Sequence, residues 1–310
     1  MSYSVRLADV CLASFFLINL ALELLVLCAS PYAIRLAEKM RRPATGARLL
    51  LGLRMLPMLL TSVAVAAWCV PSYLRYEQDA SESIALTCTL LALCGLVTLG
   101  ASAARLAWGL TASAQMLKRA EEPALEHTMF ALVGFLRPRV IVSQRIREAL
   151  SSPQMEAALL HEGAHSHSRD NLKRLALLAA PRPLGRLRRL ESEWNRQAEW
   201  AADDAAVAGQ PRRAIALAEA LVCVARLSGR RQGSDLSSAV SSSLVARNDE
   251  LGERVQRLLA QSPANAGSVP RSRAVTAAAG AVFAMALLFL AAHQSELLFL
   301  VHGAMERLAH

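Results

Sequence analysis

The segment SSPQMEAALLHEGAHSHSRDN, residues 151–171, contains the motif HExxH. Since His161 and His165 are four residues apart, a helix presents both imidazoles on one face, where they can bind one metal ion. Glu162 lies beside that position, and its carboxylate can take a proton from bound water. Pro153 suits the first turn of a helix. The segment therefore predicts a helix that carries two ligands and the general base of a hydrolytic zinc site.

A hydrolytic zinc site needs a third protein ligand and an open position for water. Glu199 and Asp203 are one helical turn apart in the downstream segment EWAAD. Glu199 can complete the site, and Asp203 can accept a hydrogen bond from a ligand imidazole. Asp170 can support the site in the same way, or pair with a nearby arginine on the surface. The alternative for Glu199 and Asp203 is a solvated acidic helix face.

The composition indicates a membrane protein. The chain has 310 residues, of which 54% are hydrophobic, and its mean hydropathy is +0.31. Four apolar segments can each cross about 30 Å of hydrocarbon: residues 10–30, 48–70, 83–104 and 274–295. They divide the chain into three spans, a soluble domain, and a fourth span with a short tail: residues 1–112, 113–270 and 271–310.

The charges that flank these segments predict their orientation. Basic residues follow the first and third segments and precede the fourth, whereas acidic residues follow the second. By the positive-inside rule, the soluble domain is cytoplasmic and both termini lie outside. The net charge of +9 is largely this pattern. No nucleic-acid-binding fold accompanies it, so direct nucleic-acid binding is not expected.

Two ionisable residues lie inside the predicted spans. Glu23 belongs to the first span and Arg54 to the second, each near the cytoplasmic end. Charged groups at such depth tend to pair or to mark a functional site, which predicts a Glu23–Arg54 contact. The alternative is that Arg54 extends alone to the inner interface.

The soluble part is predicted to be α+β. The run 129–143 has β-branched residues and turn signals, which predicts extended chain. Four helical segments follow: one from Ser152 past Asn171, then 184–207, 212–227 and 251–259. The stretch 228–243 is rich in serine, glycine and charge, which predicts a loop.

The order of these features resembles a known family. Three spans come first, followed by FLRPRVIVS at 135–143, the HExxH with RDN at 169–171, the Glu199 and Asp203 pair, and a final span. This order is similar to the metallopeptidase part of the BlaR/MecR family of bacterial beta-lactam sensor-transducers, and the resemblance covers nearly the whole chain.

The resemblance implies a gluzincin-like peptidase domain, in which His161, His165 and Glu199 bind one zinc ion and Glu162 is the general base. It further implies an integral-membrane metalloendopeptidase of the bacterial inner membrane. The expected substrate is a cytosolic transcriptional repressor, the chain itself, or both, with the loop 228–243 as the expected site of self-cleavage.

One departure and two alternatives limit these expectations. The sensors of that family carry a penicillin-binding domain after the fourth span, where this sequence has a short tail, so we expect a separate sensor partner or a second copy of the chain. One alternative is a quality-control protease of the HtpX type, whose motif usually follows two spans. The other is a non-catalytic transducer that uses the zinc site as a scaffold. Glu162 argues against the latter, because a scaffold needs ligands but no general base.

Overall fold

A computed structural model of the chain describes residues 3–76, 85–120, 130–228, 242–243, 248–260 and 294–309. These residues are mainly helical. The helices are α1 (Tyr3–Glu38), α2 (Pro43–Ala64), α3 (Val70–Tyr76), α4 (Leu86–Ala120), α5 (Gln144–Ala149), α6 (Ser152–Ser168), α7 (Asp170–Ala179), α8 (Arg188–Val207), α9 (Pro211–Ser228), α10 (Asn248–Ala260) and α11 (Gln294–Ala309). The strands are β1 (Phe130–Val133), β2 (Arg139–Val142) and β3 (Ser242–Ser243).

Three helices are long and apolar enough to cross a membrane: Tyr3–Glu38, Pro43–Tyr76 and Leu86–Lys118. They confirm the first three apolar segments as candidate spans, and each helix continues beyond its apolar run. The second consists of α2 and α3 joined by a π-helical turn, Val65–Cys69. The predicted fourth span, residues 274–295, lies outside the described residues except for its last two.

Helices α1 and α4 pack closely at one glycine. A β-carbon on Gly95 would lie only 2.5 Å from the carbonyl oxygen of Leu12, so this approach of the two backbones requires the absence of a side chain. At the same end of the bundle, Ser72 donates a hydrogen bond to the carbonyl of Leu298 in α11 (2.8 Å). The predicted tail after residue 295 is therefore helical through Ala309 and packs against the bundle.

The described residues between 130 and 260, which the sequence predicts to form the soluble domain, combine a small antiparallel sheet with helices. Strand β1 lies between β2 and β3, and all four of its residues are buried. The predicted extended run is a β-hairpin, because Gly134 adopts φ +103° between the two strands. The core of this domain forms where α6 packs against α9, through residues such as Ala158, Leu217 and Leu221.

The helix of the HExxH motif ends earlier than predicted. Helix α6 ends at Ser168, and α7 begins at Asp170. Between them Arg169 has the left-handed conformation, with φ 57°. The hydroxyl of Ser168 donates to the carbonyl of His165 (3.2 Å), which competes with the helical hydrogen-bond pattern. The helix therefore ends within four residues of the second histidine of the motif, with Arg169 as its C-cap.

The soluble domain docks on the bundle end opposite α11. Trp194 of α8 and Leu177 of α7 share a buried cluster with Leu50 of α2. A β-carbon on Gly46 would lie 3.1 Å from the side-chain oxygen of Gln197, so α2 and α8 approach closely. Helix α8 thus joins the spans, at its N-terminal half, to the residues predicted as ligands, at its C-terminal half.

Candidate metal centre

Helices α6 and α8 bring the three predicted ligands together. The Nε2 atoms of His161 and His165 are 3.2 Å apart. Each of them lies 3.6 Å from an oxygen of Glu199. The three side chains are buried and form a group that could hold a metal ion. The structure thus excludes the alternative of a solvated acidic face for Glu199.

The spacing of these donor atoms is near that of a four-coordinate ion. Bonds of about 2.0–2.2 Å in a tetrahedral site require donor atoms roughly 3.3–3.6 Å apart. The two histidine nitrogens are slightly closer than this, at 3.2 Å, and each lies 3.6 Å from a different oxygen of Glu199. One donor atom from each of the three side chains lies within 4.8 Å of the other two, so the group could hold a metal ion.

A carboxylate lies behind each histidine. The Nδ1 atom of His165 lies 2.7 Å from Asp170, and that of His161 lies 3.0 Å from Asp203. The hydrogen bond at Nδ1 of His165 leaves its Nε2 available to a metal, and Asp203 faces the corresponding nitrogen of His161. Asp170 reaches His165 because the left-handed Arg169 redirects the chain. Both aspartates thus lie where the sequence predicted supporting carboxylates.

Electrostatics keep these aspartates ionised. Burial raises the pKa of Asp170, but the neighbouring His165 and Lys173 outweigh burial and lower it to about 2. Burial likewise raises the pKa of Asp203, but Arg254 and His161 outweigh it and lower the value to about 2. Each aspartate is therefore a hydrogen-bond acceptor at neutral pH.

The metal-free site favours a protonated histidine. Burial lowers the pKa of His165, but the charge of Glu199 and the hydrogen bond to Asp170 outweigh burial and raise it to about 9. A metal ion that binds Nε2 must displace this proton, because it needs the lone pair of the neutral imidazole.

Glu162 is fully buried in α6, next to the first histidine. Its carboxylate lies close enough to His165 and Arg254 to raise the pKa of both. It does not belong to the group of three candidate ligands. Its charge therefore acts on one candidate ligand and on an arginine of the same site.

Two arginines complete the site, and sequence reasoning missed both. Arg254 of α10 binds Asp203 with two hydrogen bonds, of 2.8 and 2.6 Å, and lies 3.1 Å from one oxygen of Glu199. Arg174 of α7 donates to the other oxygen of Glu199 at 3.0 Å. The signal for Arg254 was its position: it shares one helical face with Leu251 and Leu258, which pack in the core.

The predicted contact between Glu23 and Arg54 is wrong. Both residues are buried as expected, but Arg54 donates to Glu191 at 2.7 Å and to the carbonyl of Pro181 at 3.1 Å. Glu23 accepts a hydrogen bond from the amide of Leu184 at 3.2 Å. The prediction considered the spans alone, whereas the segment between α7 and α8 offers unpaired backbone groups to both charges.

Comparison of the chain with protein-family models, with curated proteins and with solved structures finds no match. No relative therefore assigns an activity. The site itself consists of three buried side chains that could hold a metal ion, two aspartates close to the histidines, and the buried Glu162.

Proposed function

We propose that the chain is an integral-membrane zinc metalloendopeptidase. The observation that carries the proposal is the buried group of His161, His165 and Glu199, whose donor atoms lie within 4.8 Å of one another and could hold a metal ion. Two imidazole nitrogens and one carboxylate oxygen are a typical ligand set of catalytic zinc, with a fourth position left for water.

The residues around the site supply the rest of the chemistry. Zinc held by these three residues would supply Lewis-acid chemistry to a scissile peptide carbonyl and to an attacking water. Glu162 would act as the general base that takes a proton from the water and passes it to the leaving amine. Asp170 and Asp203 hold the imidazoles of His165 and His161 in orientation. A scaffold site needs the ligands and these aspartates but has no use for Glu162.

The arrangement of the spans supports a cytoplasmic site in a bacterial inner membrane. The soluble domain packs against the ends of α1, α2 and α4, which are the ends with the basic flanking residues. By the positive-inside rule these ends face the cytoplasm. Helix α11 packs at the opposite end of α1, which supports placing both termini outside.

The substrate follows from location and from the resemblance to BlaR/MecR peptidases. A cytoplasmic site next to a membrane can reach a soluble transcriptional repressor or a segment of the chain itself. The expected self-cleavage loop, residues 228–243, lies outside the described residues except at its ends. We therefore propose regulated proteolysis in signalling, with the stimulus received by a separate sensor or by a second copy of the chain.

The decisive experiment compares Glu162→Gln with the wild type, both purified as full chains in detergent. Metal content is measured by mass spectrometry, and proteolysis with fluorescent casein and by analysis of the chain for self-cleavage. We expect one zinc ion in both proteins and a loss of about 10²–10⁴-fold in the cleavage rate of the variant.

Glu156→Gln is the matched control. Glu156 lies on the same helix, is exposed, and pairs with Arg213 at the surface, so this variant should keep both zinc and activity. Equal cleavage by Glu162→Gln and wild type would refute the enzymatic proposal. A wild type that binds zinc and signals in cells, but cleaves nothing, would favour the scaffold.

A further inference from the structure

Helix α10 brings a guanidinium into the interior of the soluble domain. Leu251, Val255 and Leu258 of this helix pack against the core. Arg254 lies on the same face and is only 2% exposed. Arginine is almost never buried to this degree unless it is paired, so the position of Arg254 needs an explanation from its contacts.

Those contacts join two parts of the metal centre. Two nitrogens of Arg254 bind the two oxygens of Asp203, at 2.8 and 2.6 Å. The third nitrogen lies 3.1 Å from Glu199. Asp203 is the carboxylate behind His161, and Glu199 is the third candidate ligand, so one side chain contacts both.

The two carboxylates require such a partner. Glu199 and Asp203 are one turn apart on α8 and both are buried, so their charges repel each other in a region of low dielectric. A planar guanidinium can form a two-point contact with one carboxylate and still reach the other with its remaining nitrogen. A lysine ammonium is a single point of charge and cannot reproduce this geometry.

We propose that Arg254 is a positioning residue of the metal centre: it orients Asp203 and Glu199 and thereby sets the affinity of the site for zinc. It acts through these two carboxylates, since neither imidazole lies within 3 Å of it; the nearest is His161, at 3.5 Å. The inference rests on the proposed zinc site, but it does not require that the site cleave peptides.

A consequence is that zinc binding and docking of α10 stabilise each other. Arg254 reaches Asp203 across 51 positions of sequence, and its helix is joined to α9 through residues 229–247. If the docked helix raises zinc affinity, then zinc must favour the docked helix by the same factor. Amide hydrogen exchange of residues 248–260 reports this without any measurement of activity.

The experiment measures zinc affinity of the full-length protein in detergent, by competition with a chromophoric chelator. We expect Arg254→Met to weaken zinc binding by roughly 10–100-fold, the range found for outer partners of metal ligands. Arg254→Lys should recover part of this loss, because it restores the charge but not the two-point contact.

Arg257→Met is the matched control. Arg257 lies one turn later on α10 and binds Asp204 of α8 at 2.7 Å, but it is partly exposed and contacts none of the metal-site carboxylates. This variant should keep the wild-type zinc affinity. It should also keep the protection that zinc gives to the amides of α10, which Arg254→Met should lose.

A double-mutant cycle with Asp203→Asn separates positioning from general destabilisation. If Arg254 acts through Asp203, the two effects on zinc affinity are strongly non-additive. Additive effects, or wild-type affinity in both Arg254 variants, would overturn the inference. If Arg254→Met does not fold, the same cycle is measured with Arg254→Lys, and non-additive effects on zinc affinity are again expected. Zinc affinity that depends on Arg254 in a protein without proteolytic activity would refute the proposed function and leave this inference intact.

Discussion

At each end of helix α8 a buried arginine from another element binds a carboxylate of the helix. The two contacts differ in their exposure to water and in the number of carboxylates that each arginine binds. At the bundle end, Arg54 of α2 binds Glu191; at the site end, Arg254 of α10 binds Asp203 and Glu199. Both arginines are 2% exposed. Glu191 is 17% exposed, whereas Asp203 is 1% exposed, so water can reach only the first pair.

Further hydrogen bonds and ion pairs stabilise the bundle end of α8. Glu191 also binds Arg182, and Arg105 of α4 donates to two carbonyls of the segment that precedes α8. Glu23 and Arg54 also contact this segment, so each of the three candidate spans contributes one charged side chain that binds the chain between α7 and α8. At the site end, Arg254 contacts two carboxylates of the candidate metal centre at once, and Arg174 contacts one of them. We therefore expect substitutions at the site end to change zinc binding, and those at the bundle end to change stability.

The largest effect should follow from removing a ligand. Glu199→Gln replaces the anionic donor of the site by a neutral amide, and zinc affinity should fall by more than the roughly 10–100-fold typical of outer partners. Glu191→Gln makes the same chemical change at the bundle end of α8 and should leave affinity unchanged. Competition with a chelator measures both. A similar loss of zinc affinity in the two variants would show that zinc binding does not depend on the site end of α8 alone.

The pH dependence of zinc binding should also be large. Because the pKa of His165 is raised to about 9 in the metal-free site, zinc competes with a proton below that pH. Affinity should rise about tenfold per unit from pH 7 and level off near pH 9. Asp170→Asn removes one group that raises this pKa, so the plateau should begin at lower pH. A pH-independent affinity would contradict the proposed protonation.

The same histidine affects the stability of the metal-free protein. The pKa of His165 is higher in the folded chain than in the unfolded chain, so its protonation stabilises the folded state. This contribution is complete below the unfolded pKa of about 6.5 and is lost as the pH rises through about 9. Thermal unfolding of the chelator-treated protein should therefore show decreasing stability from pH 7 to pH 9. Zinc-loaded protein should not show this decrease, because the metal replaces the proton.

A smaller effect is expected at the bundle end. Arg54→Met leaves the carbonyl of Pro181 without its donor and removes one partner of Glu191. The loss of a buried partner costs about 1–3 kcal/mol, which thermal unfolding in detergent should detect. Zinc affinity at fixed temperature should stay at the wild-type value. A large loss of zinc affinity would show that the spans control the site directly.

The smallest effects should come from two glycines. A β-carbon at Gly46 would lie 3.1 Å from Gln197 and 3.2 Å from the carbonyl of Ala37, whereas one at Gly163 would meet no atom within 4 Å. Gly46→Ala should destabilise the contact of α2 with α8, and Gly163→Ala should stabilise α6 by up to about 1 kcal/mol. Opposite shifts in unfolding temperature are the expected result, and equal shifts would contradict the packing at Gly46.

Local patterns made much of the fold and site predictable. The three candidate spans follow from continuous apolar runs, and the paired histidines follow from a spacing of four on a helix. Glu199 and Asp203 follow from one helical turn of spacing, which is set by backbone geometry. The helix boundaries were less predictable: the break at Arg169 depends on one left-handed residue, for which the sequence has no glycine as a signal.

What the sequence determined by itself is therefore which residues share a helix face: the apolar faces that form spans, and the polar faces that hold His161, His165 and Glu199. What only the tertiary structure decided is which faces meet. Arg54 pairs with Glu191 across 137 positions, and Arg254 with Asp203 across 51. The physical reason is that side-chain spacing within a helix is set by the local backbone, whereas a buried charge binds whichever partner the packing of distant elements brings to it.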